Sequence, residues 1–263
     1  YQKLPHPKKE FHVLDGFFHD TLGEKQRWIA TDKIHRFIQQ CFATEYQAPD
    51  VLNADKIGAS CAIAEDLSSP LPKKSLKNAF WELTKQNLKI GSHLSRGLKI
   101  GEDTGYDSGS TLDFVYRNQS ESGNPIGKII DRQYLNAIGW RGIRVRKQNI
   151  EQLLQKYAEI LVKKRKPLRI MDIASGHGRY ILDAVKQLPK RPDSILLRDY
   201  SDINVKAGQK MIIERGLTDI AEFVQADAFD TQSLANFKPK PSLAVVSGLY
   251  ELFADNDLLC QCL

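Results

Sequence analysis

The chain has 263 residues, 41% hydrophobic and 27% charged, which suits one large or two small globular domains. A net charge of +6 and a pI near 9.0 are too mild to argue for nucleic acid, and no apolar run reaches the roughly 18 residues of a membrane span. The cysteines, Cys41, Cys61, Cys260 and Cys262, form no paired C-x-x-C sets, so neither a metal site nor a disulfide framework is expected, and the expected location is a reducing cytoplasm.

Residues 11–14 form a short apolar, extended stretch that breaks at Gly16. The run that follows, EKQRWIATDKIHRFIQQCF, reads as a helix, with Ile34, Phe37, Ile38 and Cys41 at helical spacing. Residues 46–74 carry Pro49, Pro70 and Pro72 and no sustained period, so they read as a linker. A second helix is expected from Ser75 to about Gly97, followed by the turn-rich GEDTGYDSGS and by TLDFVYRN, a short strand or the start of a helix. In the next segment Ile150, Leu153, Leu154, Tyr157, Ile160 and Leu161 form an i, i+3, i+4 stripe, so its second half is helical.

After Pro167 the rhythm becomes strand and helix in alternation. LRIMDIAS, SILLRDY, AEFVQADAF and SLAVVSGLYELF read as four strands, with helices over 178–188 and 202–215 between them and a last helix beginning in DNDLLCQCL. Alternation of this kind implies a parallel sheet with crossover helices, an α/β fold of Rossmann-like type. Ligands of such sheets bind outside the carboxyl ends of the strands.

The first of those ends, MDIASGHGRYIL, is a D-x-A-x-G-x-G turn. Gly176 and Gly178 let the backbone turn tightly and approach a ligand, and the N-terminus of the next helix offers free N–H groups to an anion. A nicotinamide site favours G-x-G-x-x-G, but the third position here is Ile181. Asp199, at the end of the second strand, is placed to accept the ribose hydroxyls of an adenosine cofactor, and Asp227, after the third, to receive an adenine amino group. Each feature alone has a plainer explanation, a tight turn or a helix N-cap. Three such loops in register favour an adenosine cofactor.

IMDIASGHGRY, LLRDYS, FVQADAFD and SGLYELFADND resemble the first four motifs of class I S-adenosylmethionine-dependent methyltransferases. DSGSTLDFVYRNQ and IIDRQYLNAIGWRGIRVRK are similar to the segment before the cofactor loop in one bacterial methyltransferase subfamily, in which an α/β-hydrolase domain often precedes the methyltransferase on one chain. FHVLDGFFHDTLGEKQR resembles the last strand, histidine loop and last helix of such a hydrolase. The resemblance implies a hydrolase end over 1–45, a linker over 46–74, a helical part of the methyltransferase domain over 75–166 and a cofactor-binding core over 167–263. It implies S-adenosyl-L-methionine as cofactor, held by Asp172, Ala174, Ser175, Gly176, His177, Gly178, Asp199, Tyr200, Asp227, Ala228 and Ser247.

There are departures from the family pattern. Ala174 stands where many of these enzymes have a first glycine. The family sheet has seven strands and this sequence shows four, so the core is expected to be cut short after the fourth; the first residue, Tyr1, also reads as that of a fragment. His19 corresponds to the last member of a hydrolase triad, yet no G-x-S-x-G occurs in the chain.

Other residues keep two readings. Ten Lys or Arg between Arg141 and Arg169 face two Glu, either as a solvated helix face or, through Arg141 and Arg144 near Trp140, as a contact for an anionic substrate group. Trp140 by itself reads as core. His177 either touches the cofactor or contributes backbone only, with an exposed ring. Tyr250 and Glu251 sit where class I enzymes place substrate-side or catalytic groups; Glu251 is a general base or a salt-bridge partner.

The favoured expectation is methyl transfer to a small-molecule acceptor, with a small or lipid-like anionic molecule as candidate, no nucleic acid partner, and peripheral lipid contact left open. The alternatives are a serine hydrolase of the esterase or lysophospholipase kind, represented here by its histidine-bearing end, and a non-catalytic nucleotide-binding module.

Overall fold

The structure, a computed structural model, describes residues 8–17, 21–43 and 53–262. The chain divides into two compact units, one comprising residues 1–70 with 254–256, the other residues 71–253 with 257–263.

The first unit contains α1 (Arg27–Ala43) and α2 (Ala59–Ser68). The stripe read from the sequence lies on α1, where Ile34 and Ile38 are exposed and Ala30 is buried. Residues 11–14 belong to no strand or helix. α2 falls inside the segment read as a linker. Its composition, ASCAIAEDLS, is rich in alanine, the strongest helix former, and a 10-residue helix needs no long apolar period to form.

The second unit begins with α3 (Leu76–Ser92), α4 (Arg96–Thr104), α5 (Gly109–Arg117), α6 (Pro125–Leu135) and α7 (Ile138–Lys163). Local sequence sets four of these starts. Ser75, Ser95, Ser108 and Asn124 each accept, through the side chain, a backbone N–H three residues on, and Pro125 occupies the first turn of α6. TLDFVYRN is therefore helical, because Ser108 caps it and Asn118 ends it in the left-handed conformation at φ +51.

Asp131 of α6 joins this helical part together. It is fully buried, and its carboxylate accepts from Ser95 Oγ, Gly97 N, Ser120 Oγ, Glu121 N, Ser122 N and Ser122 Oγ. Burial pushes the carboxyl up, but the donors from Ser95, Gly97 and Ser122 outweigh it and hold the group below the usual carboxylate range.

The sheet follows: β1 (Arg169–Ile173), α8 (Arg179–Ala184), β2 (Ser194–Asp199), α9 (Asp202–Glu214), β3 (Ala221–Gln225), α10 (Thr231–Asn236), β4 (Leu243–Val246) and α11 (Asn256–Cys262). The four strands are parallel in the order β3-β2-β1-β4. The expected α/β fold is present, and β4 lies at an edge. The fourth strand is shorter than its apolar sequence: it stops at Val246, and Gly248 turns the chain at φ +84.

Strand alternation sorts the core into two faces. Ile170, Ile195, Leu197 and Phe223 point to one face and pack with Leu154 and Ala158 of α7, Ile181 and Leu182 of α8, and Met211 and Ile212 of α9. Met171, Ile173 and Leu196 point to the other, where Ala228, Leu249, Leu234 and Phe237 meet them. The α7 stripe read from the sequence is thus split. Leu154 and Ala158 are buried, whereas Leu153 and Tyr157 are about half exposed. Arg198, on the second face, is 2% exposed, and its Nη2 donates to Ser233 Oγ at 3.0 Å, tying β2 to α10.

Candidate functional site

A cleft of about 690 Å³ opens at the carboxyl ends of the strands. Its floor is the chain leaving β1. Ala174, Gly176 and Gly178 all have positive φ, at 56, 57 and 71. Such a conformation suits glycine and costs an alanine about 1–2 kcal/mol, which explains why a glycine is the commoner choice at the first position. A Cβ on Gly178 would stand 2.4 Å from Leu197 Cδ1.

The loop is bonded to the next strand on its inner side. Ser175 donates to the Arg198 carbonyl through both N–H and Oγ, each at 2.9 Å. Gly176 N–H donates to Asp199 Oδ2 at 2.8 Å, while Asp199 Oδ1 accepts from Ser201 N–H and Asn204 Nδ2. Asp199 therefore orders the glycine loop and the start of α9. Among the described residues Oδ2 accepts from one donor, so it keeps acceptor capacity, and Asp199 lines the cleft.

The outer wall comes from α5, which the sequence reading gave no site role. Ser108, Gly109, Ser110, Asp113 and Tyr116 line the cleft. A Cβ on Gly109 would lie 2.7 Å from Gly176 Cα, so the two backbones touch. His177 turns its ring to α5: Nε2 is 3.2 Å from Ser110 Oγ and Nδ1 is 3.5 Å from Asp113 Oδ2. Arg179 reaches the same carboxylate with Nε at 2.6 Å and Nη2 at 3.2 Å, and Arg117 Nε is 3.0 Å from it. Burial pushes the Asp113 carboxyl up, but the hydrogen bonds and charges of His177 and Arg179 win and hold it well below the usual range. The only sequence signal for this wall was the DSGSTLDFVYRNQ segment, whose residues meet the loop through tertiary contact alone.

Below the cleft, Tyr180 donates to Asp172 Oδ1 at 2.8 Å. Asp172 is fully buried, and Oδ2 has no hydrogen-bond partner among the described residues. Burial drives its carboxyl well up; the Tyr180 bond opposes this, and the Asp199 charge adds to it. The Tyr116 ring stands edge-on to Tyr180 at 6.3 Å, and burial raises its phenol against the opposing charge of Arg146.

Of the residues expected to hold the cofactor, Ala174, Ser175, Gly176, His177, Gly178, Asp199, Tyr200, Asp227, Ala228 and Ser247 line this one cleft. Asp172 does not; it lies beneath the loop against Tyr180, because its position in β1 points it into the first face. His177 does not have an exposed ring, since only 13% of its side chain is accessible.

Of the residues expected to meet substrate or act in catalysis, Arg141, Arg144, Tyr250 and Glu251 lie outside the cleft lining. Arg141 and Arg144 do not line the cleft, and Arg144 Nη1 donates to the Leu135 carbonyl at 2.8 Å, satisfying the end of α6. Lys163 to Lys166 are exposed, the solvated-face reading. Trp140 packs with Tyr134 beside Phe114, as core. Glu251 is outside the cleft lining and pairs with Arg146 at 2.9 Å, and Tyr250 packs against the second face of the sheet. Their neighbours Leu249, Leu252 and Phe253, beyond the turn at Gly248, do line the cleft. His19 lies outside the described residues.

An open parallel sheet with a glycine loop after its first strand and a cleft at the strand ends defines a ligand-binding α/β protein of Rossmann-like type. The chain belongs to the family described as "Putative methyltransferase", whose model matches residues 34–263. It is 45% identical over 258 residues to "Uncharacterized protein YnbC" of Escherichia coli (strain K12), covering 98% of this chain and 44% of that protein. The chain thus spans less than half the length of that relative.

Among solved structures it is similar to the plantazolicin methyltransferase BpumL, in complex with a triazolic desmethylPZN analog and SAH, at 20% identity and a TM-score of 0.30, covering 58% of this chain and 55% of that one. It is also similar to the citrinin polyketide synthase CMeT domain at 18% identity and a TM-score of 0.28, covering 79% and 50%. These matches lend no support to a hydrolase end over 1–45. Among the described residues, no helix is long and apolar enough to cross a membrane.

Proposed function

We propose that this chain binds S-adenosylmethionine in the cleft and carries out methyl transfer to a small-molecule acceptor. The observation that carries the reading is convergence: the loops after all four strands line one cleft of about 690 Å³, within the usual size of a small-molecule site. Family membership supports methyl transfer in general. In this reading Asp199 accepts the ribose hydroxyls, Asp227 receives the adenine amino group, and the glycine loop lies against the amino-acid end. Ile181 stands where a nicotinamide site has its third glycine and is buried in the core.

When bound, the cofactor supplies an activated methyl group on a sulfonium. The chain then has to position the acceptor in line and exclude water. Tyr116 lines the cleft with its phenol raised by burial, so it offers a protonated hydroxyl as a hydrogen-bond donor to an acceptor. Titration calorimetry with S-adenosylhomocysteine and with NAD tests the reading. Micromolar binding of the first and none of the second is expected. Heat from NAD alone would overturn it.

A further inference from the structure

We propose that Asp113, on a helix outside the sheet, is the positioning residue that fixes the cofactor loop, acting through His177 and Arg179. The inference rests on the methyl-transfer reading of the cleft.

The loop has an unusual need for external support. Within five residues, Ala174, Gly176 and Gly178 all adopt left-handed backbone, one of them without the freedom of glycine. Such a conformation persists only where the surroundings over-determine it. Ser175 and Gly176 are secured from the strand side by the Arg198 carbonyl and Asp199. The second half of the loop lacks that bond, and its anchors lie on the opposite side. His177 and Arg179 flank Gly178, and both turn to one carboxylate, that of Asp113.

The chemistry of that carboxylate fits the task. The Arg179 fork grips it through Nε and Nη2, at 2.6 and 3.2 Å, a bidentate geometry that fixes direction as well as distance. Asp113 is 5% exposed, so its charge is little screened and is offset by the cations beside it. Arg117, one turn along α5, donates through Nε to Oδ2 at 3.0 Å and braces the carboxylate from within its own helix. Ser110 completes the frame by holding the other ring nitrogen of His177. Gly109 allows it, since its backbone rests on that of Gly176. An ion-paired carboxylate on α5 thus sets the backbone against which the ligand would lie. Asp113 has no reacting atom to touch in this role; its effect is on binding and not on the chemical step.

The test uses the full chain in two arms. Hydrogen–deuterium exchange of residues 174–179 without ligand reads the clamp itself, and S-adenosylhomocysteine calorimetry reads its consequence. Asp113→Asn keeps the shape and removes the charge. It is expected to speed exchange of that loop, and to raise the dissociation constant, by about tenfold each, the scale of a lost charged hydrogen bond. Arg117→Gln removes the i,i+4 partner of Asp113 within α5, a part-buried pair that Arg117 shares with Glu121, and leaves the Arg179 fork intact, so it is expected to change both by about threefold or less; a merely structural role for Asp113 in α5 would make the two variants alike. Arg179→Gln, expected to repeat the effect of Asp113→Asn, serves if that variant does not fold. Unchanged loop exchange in Asp113→Asn or Arg179→Gln, or equal effects from Arg117→Gln, would overturn the proposal. If the wild type gives no S-adenosylhomocysteine heat, the methyl-transfer reading fails and the exchange arm alone decides the clamp.

Discussion

Gly178→Ala probes how the glycine loop is built. The new Cβ meets two obstacles. The backbone is left-handed at φ +71, which costs an alanine about 1–2 kcal/mol. The Cβ would also stand 2.4 Å from Leu197 Cδ1, and Leu197 is fully buried in β2, so making room costs about 1–3 kcal/mol more. Against these, alanine has fewer unfolded conformations than glycine, which offsets about 0.4–1 kcal/mol. The sum is a loss of roughly 1–5 kcal/mol, read as a lower urea midpoint at unchanged slope, or as a melting point lowered by about 2–20 °C.

The two obstacles separate in a double-mutant cycle. Leu197→Ala costs about 2–5 kcal/mol alone, but it clears the space that the new Cβ needs. The double variant should therefore be about 1–3 kcal/mol more stable than the sum of the single losses. A Gly178→Ala protein within about 0.5 kcal/mol of wild type would refute the left-handed turn. Strict additivity with Leu197→Ala would refute the close contact.

Two further outcomes are expected. Asp172 has a raised carboxyl pKa in the folded state, so its stabilising share is fully present below the unfolded value near 3.9 and drains as pH rises through the folded value; Asp172→Asn should therefore gain on wild type as pH rises in urea unfolding, and a difference constant from about pH 4 to pH 9 would contradict the burial argument. Glu251→Gln removes one partner of an exposed pair with Arg146 outside the cleft, so stability should change by less than about 1 kcal/mol and S-adenosylhomocysteine affinity by less than about twofold; a tenfold loss would return Glu251 to the site.

The sequence by itself determined the parts governed by short-range physics. Serine and asparagine caps set the starts of α3 to α6, and strand–helix alternation after Pro167 set the parallel sheet. Two glycines and an aspartate at strand ends marked the floor of the cleft, because backbone freedom and position along a strand are local properties. The wall was not legible. Asp113 is separated from His177 and Arg179 by more than 60 residues, and its own stretch shows only its i+4 partner Arg117. The surroundings of Asp172 and Glu251 were not legible for the same reason: the direction of a strand residue and the end of a strand depend on what packs beside them. Tertiary structure sent Asp172 to Tyr180, Glu251 to Arg146 and Arg144 to the last turn of α6, since a buried or half-buried charge goes to whichever partner the fold brings within reach.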